Sequence, residues 1–206
     1  MKIIRPLFLF VITFVCEVGL FLLFSSFYNP ALASEFRGLT VIYNGLVYKP
    51  YFIVLFTIFI HNLAVATVDF IPLMGVAMMV FSIIETGLVV AISGSIIGTP
   101  GLTISLYLLT LPHSWLELPA YAVASASGVY FLFEASDKGL TKALVRLFYM
   151  YIMVAVELFV AASFEAGEIV DKPYGLLPYL FWFPAIPAFY FLIAFYKYFQ
   201  KLADSS

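Results

Sequence analysis

Apolar runs of about twenty residues or more alternate along the chain with short joints of Pro, Gly, Asn and charged residues. Six runs separate, at roughly 6–28, 50–70, 73–97, 112–133, 143–166 and 176–197. Each is long enough, at about 1.5 Å per helical residue, to cross a hydrocarbon core about 30 Å thick. The joints are marked by Asn29–Pro30, Pro50, Pro72, Pro100–Gly101, Gly139 and Pro173. The joint at Pro72 leaves almost no room, which predicts a tight antiparallel hairpin of the second and third runs. A further apolar stretch, "TPGLTISLYLLTL" (99–111), is too short to cross and is predicted to be re-entrant or interfacial. The pattern predicts an all-α polytopic bundle of six transmembrane helices, one integral membrane domain over 1–206.

Composition agrees. With 64% hydrophobic, 19% aromatic and only 11% charged residues, and a mean hydropathy of +1.08, the chain cannot dress an aqueous surface, so its surroundings are a lipid bilayer. The net charge is −2 and no Lys/Arg cluster exists, which excludes a nucleic-acid footprint. Cys16 is the single cysteine, so no intramolecular disulfide forms. The first run exceeds a signal-peptide core despite the "ALA" at 31–33, and is read as a retained membrane helix. With the N-terminus cytoplasmic, Lys2, Arg5, Lys138, Lys142, Arg146, Lys197 and Lys201 fall inside, and Arg37, Lys49 and Lys172 outside. That bias predicts a cell-membrane protein with both termini cytoplasmic.

The candidate chemistry lies in the apolar runs. Glu17, Glu85, Glu117 and Glu157 interrupt them, Asp69 ends the second, and His61 and His113 are the only histidines. Each such group costs about 2.5–3.5 kcal/mol at a helix centre. None has a Lys or Arg at membrane depth to pair with, Arg146 and Lys197 standing at the ends of their runs. The acids must therefore be protonated, bonded to one another, or neutralised by a cation. At about 1.5 Å per residue, Glu17, His61, Glu85 and Glu157 all come to roughly 14–18 Å depth. His113 and Glu117 share a helix face at i,i+4, and a re-entrant 99–111 would lower them towards that level. His61, Glu85, His113 and Glu117 are thus expected to converge as ligands of a divalent metal such as zinc, with Glu157 and Glu165 nearby. The plainer alternative is polar glue between helices. Gly94 with Gly98, and Ala120, Ala124 and Gly128, read as packing faces within one subunit, with a homodimer left open. Pro119 should bend its helix after Glu117. Walker A, dinucleotide, H-E-x-x-H and G-x-S-x-G motifs are absent.

"FIHN" (59–62), "PLMGVAMMVFSIIETG" (72–87), "LPHSWLELPAYAVASASG" (111–128) and "AASFEA" (161–166) together resemble the stage II sporulation protein M family. The core of the likeness is Pro112 to Ala120. The chain departs at Ser114, where the family usually has glycine, and at Glu85, where asparagine is common. The resemblance implies a polytopic membrane protein whose polar core includes Asn62, His113, Glu117 and Glu165. The family's namesake works with peptidoglycan-remodelling partners in engulfment. Three functions follow as expectations: a protein that binds and transports a cation (metal or proton), an intramembrane metal-dependent hydrolase, and a scaffold for envelope-remodelling partners.

Overall fold

The computed structural model describes residues 6–27, 45, 48–171 and 176–205. Lys2, Arg5, Arg37, Lys172 and the joints at Asn29–Pro30 and Pro173 lie outside them. The described chain is all-α: α1 Pro6–Ser25, α2 Tyr51–Asp69, α3 Met74–Ile97, α4 Gly101–Leu108, α5 Ser114–Lys138, α6 Leu140–Asp171, a 3₁₀ turn at Leu177–Phe181 and α7 Trp182–Ser205. Among the described residues six helices are long and apolar enough to span a membrane, and α4, with 8 residues, is not one of them.

Local chemistry sets the joints. Pro50 opens α2, its carbonyl accepting from Val54 N–H at 3.2 Å. The α2–α3 hairpin closes over Phe70–Leu73, since Pro72 disfavours helical backbone at the residue before it. Leu73 takes φ 65°, a left-handed conformation that strains a branched side chain. Gly75 lies so close under the turn that a Cβ there would stand 1.9 Å from the Asp69 carbonyl oxygen. At the far end of α3, Gly98 adopts φ 72° and Thr99 N–H returns to the Gly94 carbonyl, ending the helix.

The joint between α5 and α6 falls at Gly139, as the sequence marked it, but the two helices extend into the nine residues, 134–142, that separate the fourth and fifth apolar runs. Only Gly139, at φ 92°, separates the helices. Glu134 and Lys138 lie one turn apart and pair at 3.2 Å, and Arg146 Nε reaches Glu134 at 3.0 Å, so both helices persist through this polar stretch.

α6 is the central element. Its Met150, Met153, Val154, Leu158 and Ala161 pack with Leu116, Ala120 and Ala124 of α5, Ala66 of α2, Phe70 of the α2–α3 turn, and Ala185 and Leu192 of α7. Its Ala162 and Ala166 meet Val54, Leu55 and Ile58 of α2. Small residues let α5 approach its neighbours. Thr13 of α1 bonds the Ala122 carbonyl at 3.2 Å, and a Cβ on Gly128 would stand 2.7 Å from the Phe70 carbonyl oxygen. The bundle thus has a hairpin end, at Phe70–Leu73 and Gly139, and a re-entrant end, at Ser25, Gly98 and Asp171.

Candidate functional site

The site begins with how the chain re-enters the bundle. α4 starts against Ser25 and Ala91, where Gly101 allows backbone contact. It runs about 12 Å inward and then turns through Leu109–His113 into α5. Leu109, Ser114 and Trp115 there share an apolar hollow of about 320 Å³ with Val18 and Gly19 of α1. Gly19 is six residues, about 9 Å, short of the end of α1. Hence α5 begins well below the re-entrant surface, as the sequence predicted.

Such a turn leaves helix carbonyls without partners, which hydrocarbon does not tolerate. Three consecutive carbonyls are met by side chains. Ser114 Oγ donates to Leu108 O at 2.8 Å, Trp115 Nε1 to Leu109 O at 2.9 Å, and Trp182 Nε1 to Thr110 O at 2.9 Å. This cap holds His113 in place.

His113 is 7% exposed and its Nδ1 is paired with Glu168 Oε2 of α6. Its Nε2 lies 3.2 Å from Ser114 Oγ. Because the Ser114 hydroxyl proton is given to Leu108 O, Nε2 must carry the proton in that contact. The acid–histidine–serine order therefore does not make Ser114 a nucleophile: histidine holds no free lone pair for its proton. Tyr107 stands at this end, its ring edge-on to Tyr179 at 6.2 Å. Burial, with Tyr179 and Glu168 beside it, holds the Tyr107 phenol above its ordinary range, so it stays a neutral hydroxyl.

From the His113–Glu168 pair a file of acids leads towards the hairpin end. Glu165, one turn before Glu168, lies within electrostatic reach of Glu117, His113 and Glu168. Glu117 Oε1 accepts from Tyr121 at 3.1 Å. Glu17 of α1 is within reach of both Glu117 and Asp69. Glu17 and Asp69 are each 1% exposed, and all four of their carboxylate oxygens lack a hydrogen-bond partner among the described residues. Among the described residues no Lys or Arg acts on Glu17, Asp69, Glu117 or Glu165.

The four residues expected to surround a metal are divided. His113 and Glu117 enter the file, whereas His61 and Glu85 are exposed on the outer faces of α2 and α3. Among the described residues no three His, Cys, Asp or Glu side chains group as a metal shell. Depth along a helix does not fix the direction in which a side chain points. Glu157 is half-buried and acts on Tyr196, away from the file. Asn62 is buried on α2 with its Nδ2 unpartnered. The sequence reading missed Glu168 because its fifth run ended at 166, five residues before α6 does. The i,i+3 spacing of Glu165 and Glu168 was the available signal.

A family model described as stage II sporulation protein M matches residues 7–167, which takes in α1 to most of α6 and stops one residue before Glu168. No curated protein and no solved structure matches the chain.

Proposed function

The chain belongs to the stage II sporulation protein M family, whose members are integral membrane proteins, and on that premise we propose that it binds protons on its buried acid file and passes them along it. The supporting observation is the pair Glu17 and Asp69, almost fully buried with every carboxylate oxygen unpartnered among the described residues. An ionised carboxylate so placed is prohibitively costly without a counter-charge. Acids that only fixed helix register would have hydrogen-bond partners, and these do not.

A proton is the smallest neutralising cation and needs no ligand shell. Glu168 and His113 receive it at the re-entrant end, where Nδ1 and the carboxylate share one proton. Glu165, Glu117 and Glu17 follow, and Asp69 ends the file at the hairpin end. The Tyr121 hydroxyl, bonded to Glu117 and within reach of Glu165 and Glu17, supplies a donor between them. Lys138, Lys142, Arg146, Lys197 and Lys201 lie towards the hairpin end, which by the positive-inside bias faces the cytoplasm.

The test is a pH jump on purified protein in detergent, with released protons counted by an indicator dye. Glu17→Gln should release fewer protons per chain than the parent. Equal release from both would refute the proposal, and release that requires added sodium would replace the proton with a metal cation.

A further inference from the structure

Of the titratable residues outside the acid file, two lie where a membrane protein least tolerates them. His61 and Glu85 are both exposed on the outer surface of the bundle. His61 stands eight residues before Asp69 and Glu85 eleven after Met74, so they lie about 12 and 16 Å from the α2–α3 turn. Both are near the middle of the hydrocarbon, where such a group costs about 2.5–3.5 kcal/mol against lipid.

Other polar groups on this face satisfy themselves. Thr57, one turn before His61, donates to the Ile53 carbonyl at 2.7 Å within its own helix, and Thr86, next to Glu85, to the Ser82 carbonyl at 2.9 Å. His61 acts on Glu117 only across space, with no hydrogen bond among the described residues, and Glu85 likewise forms none. The glutamate stem is too short to carry its carboxyl to the interface, as a lysine could.

We infer that the outer face of α2 and α3 is the contact surface for a second copy of this chain, with His61 of each copy meeting Glu85 of the other. Charge complementarity identifies the occupant. Adjacent antiparallel helices carry a base and an acid at levels that differ by about 4 Å. A two-fold axis along the membrane normal keeps each residue at its depth and brings unlike residues together. One isologous contact then forms two reciprocal pairs and removes all four exposed titratable groups from lipid. Close approach is provided for, because Ala64 lies near His61 on α2, and Ala77 precedes Glu85 by two turns on α3, both exposed.

The test is complementation between variant chains reconstituted at low density in lipid vesicles, with stoichiometry counted by single-molecule photobleaching. The parent should be dimeric. His61→Glu sets Glu against Glu and Glu85→His sets His against His at both reciprocal pairs, so each alone should dimerise about tenfold more weakly, the scale of two interhelical polar contacts. Mixed together, the two variants restore both His–Glu pairs and should form a heterodimer. Pairing within one chain, or to another protein, would not show this rescue. A monomeric parent, single variants that dimerise like the parent, or a mixture that stays monomeric would overturn the inference. Should either variant prove unstable, His61→Gln and Glu85→Gln give the same weakening without a like-charge contact, and unchanged dimerisation in both would likewise overturn it.

Discussion

His113, just before the first residue of α5, is paired through Nδ1 with Glu168, three residues from the end of α6. The contact fastens the re-entrant turn to the longest helix of the bundle, and both side chains are nearly fully buried. Removing one partner strands the other in a low-dielectric interior. Glu168→Ala is therefore expected to lower stability by about 3–5 kcal/mol. Glu168→Gln, which keeps a hydrogen-bonding group, should lower it less. Denaturation in mixed micelles, followed by tryptophan emission from Trp115 and Trp182 beside this turn, measures the difference.

Glycine replacements separate close helix contact from mere exposure. In Gly128→Ala the new Cβ would lie 2.7 Å from the Phe70 carbonyl oxygen and 3.0 Å from its carbon, and backbone cannot yield as a side chain would. A loss of about 1–3 kcal/mol is expected. Gly19→Ala meets nothing within 4 Å and removes a helical glycine, so it should be neutral or slightly stabilising. Equal losses at both positions would show that α5 does not pack on the hairpin as described.

Much of this architecture was legible in the apolar runs. Six spans, the hairpin at Pro72 and the non-crossing 99–111 segment follow from length alone, because hydrocarbon thickness is a fixed ruler. Azimuth was not legible. These helices are apolar nearly all round, so no polar face marks their interior. Asn62 is buried and His61, one residue and about 100° earlier, faces outward, yet their depths are almost equal. The joint at Gly139 was legible, but the ends of α5 and α6 around it were not, for a related reason. Glu134, Asp137 and Lys138 read as loop by hydropathy, but they are the polar end of a helix held by its own ion pairs.

The re-entrant turn predicts accessibility. Cysteines placed singly at Gly98 and Leu109, in a Cys16→Ser background, should be modified only from the same side of the membrane by an impermeant thiol reagent. Modification from opposite sides would make 99–111 a crossing. A reporter at the α7 end should lie on the face opposite to Gly98.

Ser114→Ala tests the cap while leaving every acid of the file in place, although His113 loses its contact with the hydroxyl. It removes one of the two donors to the Leu108 carbonyl, which keeps Leu111 N–H at 3.0 Å, and takes the serine partner from one imidazole nitrogen. It should cost about 1 kcal/mol, while the number of protons released on a pH jump stays that of the parent. Covalent capture of Ser114 by a fluorophosphonate would contradict the assignment of its proton to Leu108.

Glu17→Leu should divide stability from function. Exchanging a buried carboxyl with two unpartnered oxygens for an apolar side chain removes a desolvation penalty of about 1–3 kcal/mol. The variant should therefore be as stable as the parent or more so, while releasing fewer protons. A strongly destabilised Glu17→Leu would instead make Glu17 a structural pin.

Infrared difference spectroscopy tests the central claim most directly, because the carbonyl stretch of a protonated carboxyl is resolved from that of a carboxylate. Between acidic and alkaline buffer the parent should lose a protonated-carboxyl band that shifts in deuterium oxide, and Glu17→Gln should lack part of that band. A spectrum with no protonated carboxyl at any pH, or one that Glu17→Gln leaves unchanged, would contradict proton binding on the buried file.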